Sequence, residues 1–99
     1  MVEDKGMILH LLAMFREDSL RNKKEVDEAL SQKDYKLAFE RLHTLKGSAY
    51  ILGANQLGET AKILEPSIKA GKLDEGAYQA FEIELSEIQA ELTTMLSKR

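Results

Sequence analysis

Apolar residues recur at three- and four-residue spacing along almost the whole chain, the pattern of helices that each bury one face. Ile8, Leu11, Leu12 and Phe15 open it and predict a short amphipathic helix. The polar stretch "REDSLRNKK" breaks the stripe, and helix resumes through Val26, Ala29 and Leu30, with Ser19 offering a start signal. "SQKD" reads as a turn in which Asp34 caps the next helix. That helix is predicted over 35–52, with Ala38, Leu42, Leu45, Ala49 and Leu52 facing inward and Gly53 ending it. Asn55 is placed to cap the following helix, whose stripe is Leu57, Ala61, Leu64 and Ile68. Pro66 falls inside it, removes a backbone donor and clashes with the carbonyl of Lys62, so a kink after Glu65 is expected. After "KAGKLDEG", with Asp74 as cap, the final helix carries Tyr78, Phe81, Leu85, Ile88, Leu92 and Met95, and these aromatics and the methionines read as core. The expected architecture is all-α: an antiparallel up-down-up-down four-helix bundle with a short additional N-terminal helix packed across one end.

Composition agrees with a single domain over residues 1–99. Hydrophobic residues make up 43% and charged residues 31%, a globular balance, and 6 Gly with 1 Pro leave little material for many turns. The net charge of −3 gives no general attraction to nucleic acid or to an anionic membrane. No apolar run approaches the roughly 18 residues of a membrane span. The absence of cysteine excludes disulfides, thiol catalysis and cysteine-based zinc sites, and a cytoplasmic location is the default reading.

The stretch "HTLKGSAYILGA", residues 43–54, raises a question, because a glycine inside a helix costs about 1 kcal/mol relative to alanine. At about 100° per residue, His43 lies roughly 140° from the core direction, Gly47 near 180° and Lys46 at about 80°. The histidine therefore faces solvent. Helical side chains lean toward the N-terminus, so any side chain at position 47 would hang over the imidazole, and glycine leaves the ring open to something large. Lys46 brings an ammonium beside whatever the imidazole carries. An exposed imidazole, an uncovered approach and a nearby cation suit a group that accepts a phosphoryl. Phe39, Tyr50 and Ile51 form an apolar rim around it, either a docking surface for another protein or residues packed under the first helix.

On the next helix Glu65 stands beside inward-facing Leu64 and is within reach of His43 if the two helices are antiparallel neighbours. Its carboxylate would accept a hydrogen bond from Nδ1–H and leave Nε2 free as nucleophile. Glu65 is either this orienting group or an ordinary surface acid. His10, in the apolar first helix, has no comparable context.

Taken together, "FERLHTLKGSAYILGANQLGETAKILE" resembles the histidine-containing phosphotransfer (Hpt) domain of bacterial multistep phosphorelays. The family pattern H-x-L-K-G-S/A, a downstream G-A and a helix ending in L-E or L-Q is met by His43, Leu45, Lys46, Gly47 and Ser48, then Gly53 and Ala54, then Leu64 and Glu65. The resemblance implies a four-helix bundle in which His43 takes a phosphoryl group at Nε2 from a receiver-domain aspartate and passes it to another receiver. It gives Lys46 the place of phosphate neighbour, Gly47 that of clearance, Ser48 that of the small residue nearby, and Glu65 that of the ring's orienter. Pro66 departs from the pattern. Magnesium would come from the receiver domain, of a hybrid sensor kinase or a response regulator, so no cofactor or metal is expected here. A monomer without membrane contact is expected, either free-standing or as part of a hybrid sensor kinase.

The competing reading is a helical adaptor that binds a receiver domain through the same face and is never phosphorylated. An autonomous enzyme is disfavoured. A kinase would need a nucleotide-binding domain, and the chain has no glycine-rich phosphate loop, no supporting residues for a hydrolase triad and only two histidines.

Overall fold

In a computed structural model the chain is described from residue 5 to residue 98. Residues 1–4 and 99, the ends of the expected 1–99 domain, lie outside the described residues. The elements are α1 (Lys5–Ser31), α2 (Tyr35–Leu52), α3 (Asn55–Lys69) and α4 (Glu75–Ser97), with no strand among the described residues. Each helix packs on two neighbours, α1 on α2 and α4, α3 on α2 and α4.

The short N-terminal helix does not exist as a separate element. Its residues and those of the second predicted helix form one continuous α1. "REDSLRNKK" breaks the apolar stripe without breaking the helix, because polar residues take the inward positions. Phe15, Ser19, Asn22, Val26 and Ala29 are all buried, at helical spacing. Ser19 is mid-helix: its hydroxyl donates to the Arg16 carbonyl at 3.0 Å and accepts from Gln89 Nε2 at 3.2 Å. The outer positions hold ion pairs, Arg21 to Asp18 at 2.7 Å and Lys23 to Asp27 at 2.6 Å. Ile8 and Leu11, expected in the core, are exposed.

The stripes of α2 and α3 fall where the periodicity puts them. Ala38, Leu42, Leu45 and Ala49 meet Leu57, Ala61, Leu64 and Ile68, all with no solvent exposure, and Phe81 and Leu85 of α4 close the core. The phase of α4 drifts at its end, so that Leu96 is buried and Met95 is exposed. Met7 and Met14 are exposed as well, so none of the three described methionines is core. Helix α3 runs through Pro66 without interruption.

All three connections end their preceding helix in one way. Lys33, Gly53 and Gly71 adopt left-handed φ of 58°, 91° and 78°. The N–H of the next residue reaches back five positions in each, from Asp34 to Ala29, Ala54 to Ala49 and Lys72 to Ser67, at 2.8, 2.8 and 2.9 Å. This double closure satisfies carbonyls that the helix end would leave orphaned. Asp34 and Asp74 then cap α2 and α4 through the N–H groups of Leu37 and Ala77, both at 3.1 Å. Asn55 caps nothing. The closure uses Gly53 and Ala54, so Ala54 occupies the cap position of α3 without a side-chain bond and Asn55 is already helical.

Between α1 and α4 runs a polar seam. Arg16 bonds Thr93, Gln89 bonds Ser19, Lys23 bonds Glu82 and Tyr78 donates its hydroxyl to Asp27. Partner numbers fall along α4 as they rise along α1. Burial, reinforced by the Asp27 carboxylate, pushes the Tyr78 phenol well above its ordinary range.

The left-handed positions give a paired prediction. Gly53→Ala places a Cβ where φ is 91° and is expected to lower stability by about 1–2 kcal/mol, whereas Lys33→Gly removes such a penalty and is expected to raise it by about 1 kcal/mol. Urea unfolding of both variants checks the signs; changes of the same sign would contradict this account of the turns.

Candidate functional site

Helices α2 and α3 build the site because their buried stripes fix which residues remain on the shared outer edge. On α2, Leu42 is buried, so His43, one residue on, projects outward with its side chain 61% exposed. On α3, Leu64 is buried, and Glu65 beside it sits at the α2–α3 boundary with its side chain 13% exposed. Glu65 Oε2 lies 2.7 Å from His43 Nδ1, and Oε1 lies 2.8 Å from Lys46 Nζ. Pro66 does not displace the carboxylate, and one side chain thus links the imidazole and the ammonium predicted to flank it.

Burial on its own would push the Glu65 carboxyl up, but the hydrogen bonds and charges of Lys46 and His43 outweigh it and hold the group below its ordinary value of 4.5. Glu65 is therefore ionised at neutral pH. As an acceptor, it takes a hydrogen bond from Nδ1–H, the tautomer that leaves the Nε2 lone pair free and facing solvent.

Phe39, one turn before His43, stacks on the imidazole with ring centres 5.8 Å apart and planes within 13°. It is half-buried against the core rather than fully outward. Tyr50 is more enclosed than the helix construction implies. Its ring lies on Gly58 of α3, where a Cβ would stand 2.8 Å from ring carbons, and its hydroxyl donates to Glu59. Ile51 is 90% exposed. Ser48 is half-buried and its hydroxyl makes no hydrogen bond among the described residues.

The space around Gly47 is wider than the helix construction implies. A Cβ built there meets nothing within 4 Å, the imidazole included, so a methyl group would stay clear of the ring. Only a longer side chain would cover His43, and nothing among the described residues requires glycine at this position.

The profile described as "Hpt domain" matches residues 10–97. The chain belongs to the Hpt domain family. No curated protein and no solved structure matches it. Hpt domains carry histidine phosphotransfer in phosphorelays and work with receiver domains. Among the described residues of this Hpt domain, no helix is long and apolar enough to cross a membrane.

Three neighbours of the site escape the sequence pattern. Gly58 and Glu59 receive Tyr50, and Lys69 places its ammonium 5.9 Å from the centre of the Phe39 ring. Only the i,i+4 spacing from Glu65 to Lys69, on one face of α3, was available as a signal.

The Glu65 arrangement sets a pH dependence. A carboxyl held below its ordinary 4.5 in the fold contributes stability in full above that value and loses it as pH falls through the lower folded value. Glu65→Gln is expected to cost about 1–3 kcal/mol at neutral pH. The gap from the native chain should be flat above about pH 5 and shrink below it. Chemical denaturation across pH 2–7 would measure it, and a gap that widens in acid would contradict the arrangement.

Proposed function

We propose that this Hpt domain is a phosphoryl carrier in which His43 is the phosphoacceptor. The observation that carries the reading is the shared Glu65 carboxylate, 2.7 Å from Nδ1 of an imidazole that is itself largely exposed to solvent. Nε2 attacks the phosphorus of a receiver's aspartyl phosphate. The Nε2–P bond forms as the P–O bond to the aspartate breaks, and the aspartate leaves as a carboxylate with the bonding electron pair. The ring keeps its Nδ1 proton and becomes cationic, facing the Glu65 carboxylate, so charge created in the step meets a preplaced countercharge. Transfer to the aspartate of a second receiver is the same step reversed.

In this reading Lys46 is a phosphate neighbour, Gly47 gives clearance to the incoming receiver and Ser48 is the small residue nearby. Phe39, Tyr50 and Ile51 form the docking surface. The receiver supplies magnesium, and the chain has no kinase activity of its own. The domain acts as a monomeric up-down-up-down bundle on the cytoplasmic side, as one unit over residues 1–99. Support for the clearance role comes from Gly47, where helix propensity is sacrificed with no packing reason among the described residues.

The deciding measurement is transfer of radiolabelled phosphate from a phosphorylated receiver domain to the native chain and to His43→Gln. Label on the native chain, acid-labile, base-stable and absent from the variant, is expected. A receiver that binds both chains and labels neither would instead favour the adaptor. Gly47 separates clearance from stability: Gly47→Ala should stabilise the fold by up to about 1 kcal/mol, whereas Gly47→Leu should fold and lose most of its label. Full labelling of the leucine variant would remove glycine from the mechanism.

A further inference from the structure

Tyr50 is a large ring at a position from which it could obstruct the site. It follows Gly47 by three residues and His43 by seven, so the three share one outward strip of α2. A helical side chain lies over the turn N-terminal to its own Cα. For Tyr50 that turn holds Gly47, the gap through which His43 is approached. A Cβ built at Gly47 meets nothing within 4 Å, so the ring is not in that gap.

The ring lies on α3 instead. Its Cε1, Cζ and Cε2 stand 2.8, 2.8 and 2.9 Å from the place of a Cβ at Gly58. Its hydroxyl donates to Glu59, the next residue of α3. That bond first, then desolvation and the charges of Glu59 and Glu65, raise the phenol above its ordinary 10, so the hydroxyl stays a donor. Gly58 is buried in the interior of α3, where alanine would favour the helix, and the space it leaves is filled by the ring.

Two bare stretches of backbone are thus near one ring, Gly47 on its own helix and Gly58 across the groove. Only the second seat leaves His43 open. A side chain at position 58 would close that seat, and the atoms it meets are the far end of the ring, so the ring gives way and the helices stay. The other χ1 well open to a helical tyrosine turns the ring away from α3 and back over α2. The empty turn at Gly47 is there to receive it.

We propose that Gly58 is a positioning residue for phosphoryl transfer: with Glu59 as latch, it seats Tyr50 on α3 and keeps the ring out of the Gly47 gap. The inference rests on the carrier reading. It makes clearance the work of two glycines, one that leaves the approach to His43 empty and one that holds a large neighbour aside. The receiver then meets an opening bounded by His43 at one end and by the edge of Tyr50 at the other.

The test compares two donors of different size on the full chain. Phosphoramidate reaches Nε2 without a docked protein: its P–N bond breaks and ammonia leaves as the bond to Nε2 forms. A phosphorylated receiver domain needs the opening. Gly58→Ala is expected to slow labelling of His43 from the receiver about tenfold and to leave labelling from phosphoramidate within about twofold of native. In a Tyr50→Ala background the same change at Gly58 should alter neither rate, because no ring remains to displace. A Gly58→Ala chain that takes label from the receiver at the native rate would overturn the proposal. So would a loss that is equal for both donors, or one that persists at full size without Tyr50, since either gives Gly58 a merely structural part. A native chain that accepts no phosphoryl at His43 from either donor would overturn the carrier reading, and that failure is read from the native chain alone.

Discussion

The site depends on one carboxylate divided between two donors. Glu65 is too enclosed for an unpaired charge to be cheap, and a lone acid in that place would tend toward its neutral form. The ammonium of Lys46 and the imidazole of His43 reverse that tendency, each taking one oxygen. The bond to Lys46 holds the carboxylate ionised, and the ionised carboxylate fixes the histidine tautomer. The second effect depends on the first. Both require α2 and α3 to be locked in axial register, which the fully buried stripes of the two helices provide.

What could be read from the chain follows from where the apolar stripes are clean. In α2 and α3 every predicted core position except Leu52 is fully buried, so the outward positions, His43 and Gly47 among them, follow by geometry. In α1 the inward face contains Ser19 and Asn22, whose polarity looks like a break although the backbone continues. In α4 a phase drift of one residue exchanges Met95 for Leu96. Lys69 on Phe39 and Tyr50 on Gly58 are contacts between helices, set by distances of closest approach that no single-helix periodicity contains.

Gly47 and Gly58 bear similar intrinsic costs for opposite reasons. Open space surrounds Gly47, and its missing side chain is a vacancy directed outward. The missing side chain of Gly58 is filled by the Tyr50 ring, which lies flat on the α3 backbone because nothing stands between them. One glycine shapes the surface by leaving it empty. The other shapes it by letting a neighbour settle.

The turn at Gly53 and Ala54 has a consequence for how this sequence can change. His43 and Glu65 are 22 residues apart, and the path between them is helix except for that one tight reversal. An insertion within either helical stretch would swing one partner about 100° around its axis. The reversal offers little slack to take up the change, since both of its backbone amides are engaged in closing α2. The interval between the two residues is thus a fixed phase, and its length is as much a part of the site as the identities of the side chains at its ends.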